Sequence, residues 1–191
     1  MNHKEQIASF FETDYPLNKD GVEELIDAFK LKEYPKYALL LSEDEFENKL
    51  RFVNKGVVRE FYRTEKKEIN INFYTTPQFI TDFSSFIQDT KTNKNQEALS
   101  ALQVLELGKD TFVKLLDKYS CGKSFIDLTF QRILKNKEAF EYNRMTKEPE
   151  ELYNELRIYR PDWLQEIPQY HIASYLGITP ETLSRIRKRL S

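Results

Sequence analysis

Ile167-Pro-Gln-Tyr-His-Ile-Ala-Ser-Tyr-Leu-Gly-Ile-Thr-Pro-Glu-Thr-Leu-Ser-Arg-Ile-Arg-Lys-Arg-Leu190 reads as a helix, a tight turn and a second helix. Ile172 and Leu176 stand four apart and give the first helix an apolar face. Ala173 between them is small enough for a second helix to cross closely. Gly177 follows Leu176 at the position where a left-handed residue ends a helix. Thr179 then supplies a cap, and Pro180 occupies the first helical position, where its missing N–H costs nothing. In the second helix Leu183, Ile186 and Leu190 share one side and pack back onto Ile172 and Leu176.

The other side of that helix presents Glu181, Ser184, Arg185 and Lys188, with Thr182 and Arg189 at its margins. Four of the last seven residues are Arg185, Arg187, Lys188 and Arg189. Such a unit fits a polyanion: the second helix of a helix-turn-helix enters the DNA major groove and turns its first residues to base edges. Arginine forks onto guanine and glutamate accepts from cytosine N4, so Glu181, Ser184 and Arg185 are the expected base contacts. Gln169, Tyr170, Thr182, Lys188 and Arg189 are the expected phosphate contacts. His171 is expected on the exposed side of the first helix beside Tyr170, and Trp163 is expected to anchor this unit on the helix before it.

Upstream, Ile126, Phe130, Ile133, Lys137 and Phe140 step by four and three along a helix of roughly 20 residues. The stripe suits either a core helix on the preceding domain or a strut pairing with a second copy of the chain. Cys121 at its start is read as a packing residue. Glu150–Tyr159 forms a further short helix, halted near Pro161.

Before residue 110 the texture is different. Tyr37–Leu41, Leu50–Val53, Val57–Tyr62 and Ile69–Tyr74 are short β-branched and aromatic runs separated by polar clusters, the rhythm of antiparallel hairpins in a small roll. Ile69, Ile71 and Phe73 alternate with Asn70 and Asn72, as in a sheet with one wet face. Ala98–Leu107 is a further strand candidate. Residues 88–97 are wholly polar and are expected as a surface loop. At the N-terminus Val22, Leu25, Ile26 and Phe29 recur at helical spacing.

Composition bounds the function. The 191 residues carry 29 basic and 31 acidic side chains, but residues 120–191 carry 12 and 10, so positive charge gathers where the helix-turn-helix lies. Fourteen Phe and eleven Tyr with five Gly exclude disordered classes. No apolar run suits a membrane span, and a soluble cytoplasmic protein is expected. One cysteine and two histidines, His3 and His171, leave no material for a cluster or a metal site, so no metal, cofactor or catalytic residue is expected.

On Asn54-Lys55-Gly56-Val57-Val58-Arg59, a strand–Gly–strand turn, with the long helix and Pro180-Glu-Thr-Leu-Ser-Arg185, the sequence resembles the Crp/Fnr superfamily of bacterial transcription regulators. The resemblance implies an α+β chain: an antiparallel, cyclic-nucleotide-binding-like β-roll over 1–118, a dimerisation helix over 119–145 and a helix-turn-helix domain over 146–191. It implies a homodimer joined through Ile126, Phe130, Ile133 and Phe140 on a two-fold-symmetric operator in double-stranded DNA. A small-molecule effector and RNA polymerase stay open as further partners. Pro180 departs from the arginine common in the family, and the sequence reaches Ser191 without the β-hairpin wing that often follows. Members that bind cyclic AMP carry Gly-Glu after the fourth strand and an Arg-Ser pair in the next loop. Phe79-Ile-Thr-Asp-Phe83 has neither Gly nor Glu, with Ile80-Thr81 at that place, and no arginine lies between Arg63 and Arg132. Lys91 and Lys94 offer point charges but no bidentate fork. A regulator that does not respond to cyclic AMP is therefore expected. The competing reading is a small-molecule-binding β-roll protein whose C-terminal helices mediate protein–protein assembly.

Overall fold

The computed structural model describes residues 3–14, 19–75, 77–120 and 122–190; the side chains of 12–20, 121–126, 129, 130 and 136 lie outside that description. Two helices, α1 (His3–Asp14) and α2 (Lys19–Ala28), precede the strands β1 (Lys30–Tyr34), β2 (Leu39–Leu41), β3 (Lys49–Lys55), β4 (Val58–Arg63), β5 (Glu68–Tyr74) and β6 (Gln78–Phe79). The short helix α3 (Phe83–Gln88) leads to β7 (Asn95–Ala98) and β8 (Leu102–Gly108). The helices α4 (Lys109–Lys118), α5 (Gly122–Thr146), α6 (Pro149–Tyr159), α7 (Pro161–Glu166), α8 (Gln169–Leu176) and α9 (Pro180–Leu190) follow.

The strands form two antiparallel four-stranded sheets, ordered β1-β8-β3-β6 and β2-β7-β4-β5. Alternation along β3 and β8 sends Leu50, Phe52, Leu105 and Leu107 into a cluster with Ile7, Phe11, Leu25, Ile26, Phe112 and Leu116 of α1, α2 and α4. The opposite face turns Val53 and Val104 toward Val58 and Ala98 of the second sheet, so the two sheets enclose a smaller core. A third cluster joins Phe73 of β5 to α6, α7, α8 and α9. The layering expected from the sequence, an antiparallel roll followed by helices, is present.

Gly56 makes the bend between β3 and β4. Its φ is 102°, and a Cβ there would lie 2.5 Å from the Ala101 carbonyl oxygen, so glycine is required on both counts. The connection 99–101 is laced to that bend, with Leu99 N–H on the Val57 carbonyl and Val57 N–H on Ser100 Oγ. This close contact corrects the expectation of one strand over Ala98–Leu107: the chain leaves one sheet at Ala98 and enters the other at Leu102. The edge strand β1 escaped detection because four of its five side chains are exposed, so no apolar run marks it, although it pairs with β8 along its length.

Two further expectations are corrected. Residues 88–97 are not a loop throughout: Thr92, Asn95 and Gln96 are buried, and Asn95–Ala98 lies between β2 and β4. The wet face of β5 is also absent. Glu60 pairs with Asn72 and Phe61 with Asn70, leaving Ile71 as an extra residue, a bulge that puts Asn70 and Phe73 on one face. Both are 1% exposed beneath α8.

Candidate nucleic-acid interface and the roll interior

Helix α8 ends at Gly177, whose φ of 73° is the left-handed cap that the sequence predicts. Thr179 Oγ1 accepts the Thr182 N–H at 3.2 Å and so caps α9. Ile172, Ala173, Leu176, Leu183 and Ile186 are buried together, which leaves the other side of α9 to solvent. Burying each large apolar side chain here contributes about 1.5–3 kcal/mol, enough to set the crossing of two short helices. Glu181, Ser184, Arg185 and Lys188 are all exposed on α9, as are Gln169 and Tyr170 at the start of α8. A hydrogen bond from its own backbone N–H, then Thr179 and Arg185, hold the Glu181 carboxyl below the usual range, so it is an acceptor at neutral pH. Thr182 is half-buried, and Arg189 is ion-paired with Glu150 of α6 at 2.5 Å. Arg189 is thus tied toward α6 at one margin of this face.

His171 is a correction. It is 6% exposed, not on the outer side of α8. Asn70 Nδ2 donates to His171 Nδ1 (3.2 Å) and to the His171 carbonyl (3.3 Å), so the ring accepts at Nδ1 and is neutral. Burial, then the Arg59 guanidinium, push its pKa down to about 4, against a smaller opposing effect of Glu68. Ser174 Oγ accepts from Asn70 N–H and donates to the Glu68 carbonyl. Trp163 packs edge-on against Phe73 (5.0 Å) and Tyr175 (5.1 Å), reaching beyond α6 to the sheet itself. Thr75, Asp162 and Arg160 are hydrogen-bonded beside it. The first helix of the helix-turn-helix is therefore docked on β5 through partners about a hundred residues away. No local pattern in the sequence signals such a contact; the wetness of Asn70 was misjudged because the bulge is invisible there.

Of the stripe on α5, Ile126 and Phe130 lie outside the described side chains. Ile133 is 40% and its neighbour Leu134 57% exposed, whereas Phe140 rests against Tyr175 within the same chain. Cys121 also lies outside the described residues. Arg144, near the end of α5, brings Nη2 to within 3.2 Å of where a Gly177 Cβ would be, a contact that the sequence did not suggest.

Inside the roll, Lys94 is not a free charge. Its Nζ lies 3.2 Å from Asp82 Oδ1 and 3.5 Å from Glu60 Oε1. Burial works to lower its pKa, but Glu60 and Asp82 outweigh it and push the value up. Gln96 donates to Glu60 at 3.0 Å, Tyr74 donates to the same carboxylate, and Thr92 donates to Asp82. Lys91 stays exposed. Among the described residues no group of His, Cys, Asp and Glu is arranged to hold a metal ion, and no helix is long and apolar enough to cross a membrane.

Residues 31–119 match the family model described as the cyclic nucleotide-binding domain. The chain superimposes on FixK2 from Bradyrhizobium japonicum with a TM-score of 0.71 at 17% identity, over 85% of this chain and 84% of that one. The regulator CLP of Xanthomonas campestris, described as c-di-GMP responsive, gives 0.67 at 14% identity over 91% of each chain. The catabolite activator protein of Thermus thermophilus gives 0.59 at 17% over 92% and 84%. No curated protein matches by sequence. Residues 31–119 are thus similar to the cyclic nucleotide-binding domain family, and the chain shares the fold of these solved structures.

Proposed function

We propose that the protein is a transcription regulator that binds a two-fold-symmetric DNA operator as a homodimer and does not respond to cyclic AMP. The observation that carries the reading is the outer face of α9: Glu181, Ser184, Arg185 and Lys188 are exposed together while Leu183 and Ile186 anchor the helix from behind. Glu181, Ser184 and Arg185 are assigned to base edges. Lys188, Thr182, Gln169 and Tyr170 are assigned to phosphates, with Arg189 joining them once it leaves Glu150. Ile133 and Leu134 support pairing along α5, which sets two recognition helices about 34 Å apart on successive major grooves.

The test is substitution with salt titration. Arg185→Ala should cost about 1–3 kcal/mol on the preferred operator and relax choice at one base pair. Lys188→Ala should weaken binding on every sequence and lower the salt slope by about one. Equal losses on operator and random DNA for both variants would remove the base-reading role of Arg185. Association that ignores salt would favour protein–protein assembly by the C-terminal helices instead.

A further inference from the structure

The segment Ser42–Asn48 joins β2 to β3 and has one buried residue, Glu47, at 1% exposure. Glu43, Asp44, Glu45, Phe46 and Asn48 are exposed. A loop whose sole buried group is a carboxylate is not held by apolar burial, and desolvating that charge is costly without a matched partner. Its other ties are hydrogen bonds: Asp44 N–H to the Thr92 carbonyl and Thr92 N–H to the Glu45 carbonyl, at 2.9 and 2.8 Å, with Glu43 N–H on Asn95 Oδ1, Glu47 N–H on Ser85 Oγ and Lys109 N–H on the Asn48 carbonyl.

The partner is Arg51. Its Nη1 lies 2.7 and 2.6 Å from the two Glu47 oxygens, and the Lys49 and Asp82 backbone N–H groups donate to the same carboxylate. Arg51 is 4% exposed and shares with Val53 the face of β3 that looks between the sheets. Its Nε reaches Glu106 at 3.2 Å, but Glu106 also takes Tyr34 and Lys49, so Glu47 is the group that balances the guanidinium. Burial raises the Glu47 pKa against the pull of Arg51, so part of the pairing energy goes to keeping the acid ionised. Around this point four carboxylates, Glu47, Glu60, Asp82 and Glu106, face Arg51, Lys49 and Lys94. The interior already holds an excess negative charge, so a further anion enters only by exchange for one in place.

We propose that Arg51 and the Asp82 amide form an interior carboxylate site, that Glu47 fills it as a ligand tethered on the loop 42–48, and that a small free monocarboxylate takes the site when Glu47 is absent. This assignment is independent of DNA binding. The tether gives Glu47 a high effective concentration, so the intact protein needs no added ligand to complete this part of the roll.

Chemical rescue tests it. Glu47→Ala should lower the melting temperature, and formate or acetate should restore part of the loss along a saturable curve when exchanged for chloride at constant ionic strength. Neither the unsubstituted protein nor E47A/R51M should respond. Indistinguishable melting of E47A in acetate and chloride, or equal acetate gains in E47A and E47A/R51M, would overturn the proposal. Should E47A fail to fold, Glu47→Gln keeps the side-chain volume and an acceptor for the Asp82 amide while removing the charge. Its amides in 42–48 should exchange at least about tenfold faster with the rest of the roll unchanged. Unaltered protection in that loop would equally overturn it.

Discussion

Docking of the helix-turn-helix on the roll should depend on pH through His171. The ring is 6% exposed, accepts from Asn70 at Nδ1, and has a pKa of about 4 beside Arg59. In the unfolded chain it titrates near the ordinary value of 6.5. A depressed folded-state pKa means that the unfolded chain binds the extra proton between those two values. The contribution is therefore complete above about pH 6.5 and drains away as the pH falls toward 4. A difference of roughly two and a half units corresponds to at most about 3 kcal/mol. Protonation puts an Nδ1–H against the Asn70 amide N–H and a positive charge near Arg59, while Glu68 offsets part of that repulsion. Urea unfolding of the intact chain and of His171→Gln, which cannot titrate, at pH 7.5, 6.0, 5.0 and 4.5 isolates this contribution. The stability advantage of the histidine protein over H171Q should shrink by about 2–3 kcal/mol across that range. An advantage that holds constant with pH would refute the reasoning.

Three further outcomes follow from single sites. Gly177→Ala forces a left-handed φ on a side chain and crowds Arg144, so it should cost about 1 kcal/mol and about 2–4 °C in melting temperature; no change in a thermal scan would contradict that assignment. Ile133→Asp changes a side chain that is 40% exposed in one chain, so folding by circular dichroism should be intact while sedimentation shifts from dimer to monomer; a monomer before substitution would end the pairing model. Titration calorimetry with cyclic AMP should give a dissociation constant weaker than about 1 mM, because Lys94 is already engaged by Asp82 and Glu60 and Arg51 by Glu47 and Glu106; micromolar binding would show that these pairs open readily.

The helix-turn-helix was legible in sequence because each of its determinants acts within a few residues. Gly177 ends a helix through its own φ, Thr179 caps through the amide three residues on, and Leu183 and Ile186 repeat at helical spacing. The roll was legible for a similar reason, since short β-branched and aromatic runs separated by polar clusters are local features of the chain. What only the tertiary structure decided are the polar residues. A bulge at Ile71, set by pairing with β4, carries Asn70 from the expected wet face to a buried bond with His171. Gln96 and Thr92 look like loop residues until Glu60 on β4 and Asp82 at the start of α3 satisfy them inside. Glu47 and Arg51 are four residues apart, yet nothing in that spacing says that the pair lies between two sheets. Apolar burial follows local periodicity, but a buried polar group is stable only where distant groups complete its hydrogen bonds, and those distances exist only after the chain has folded.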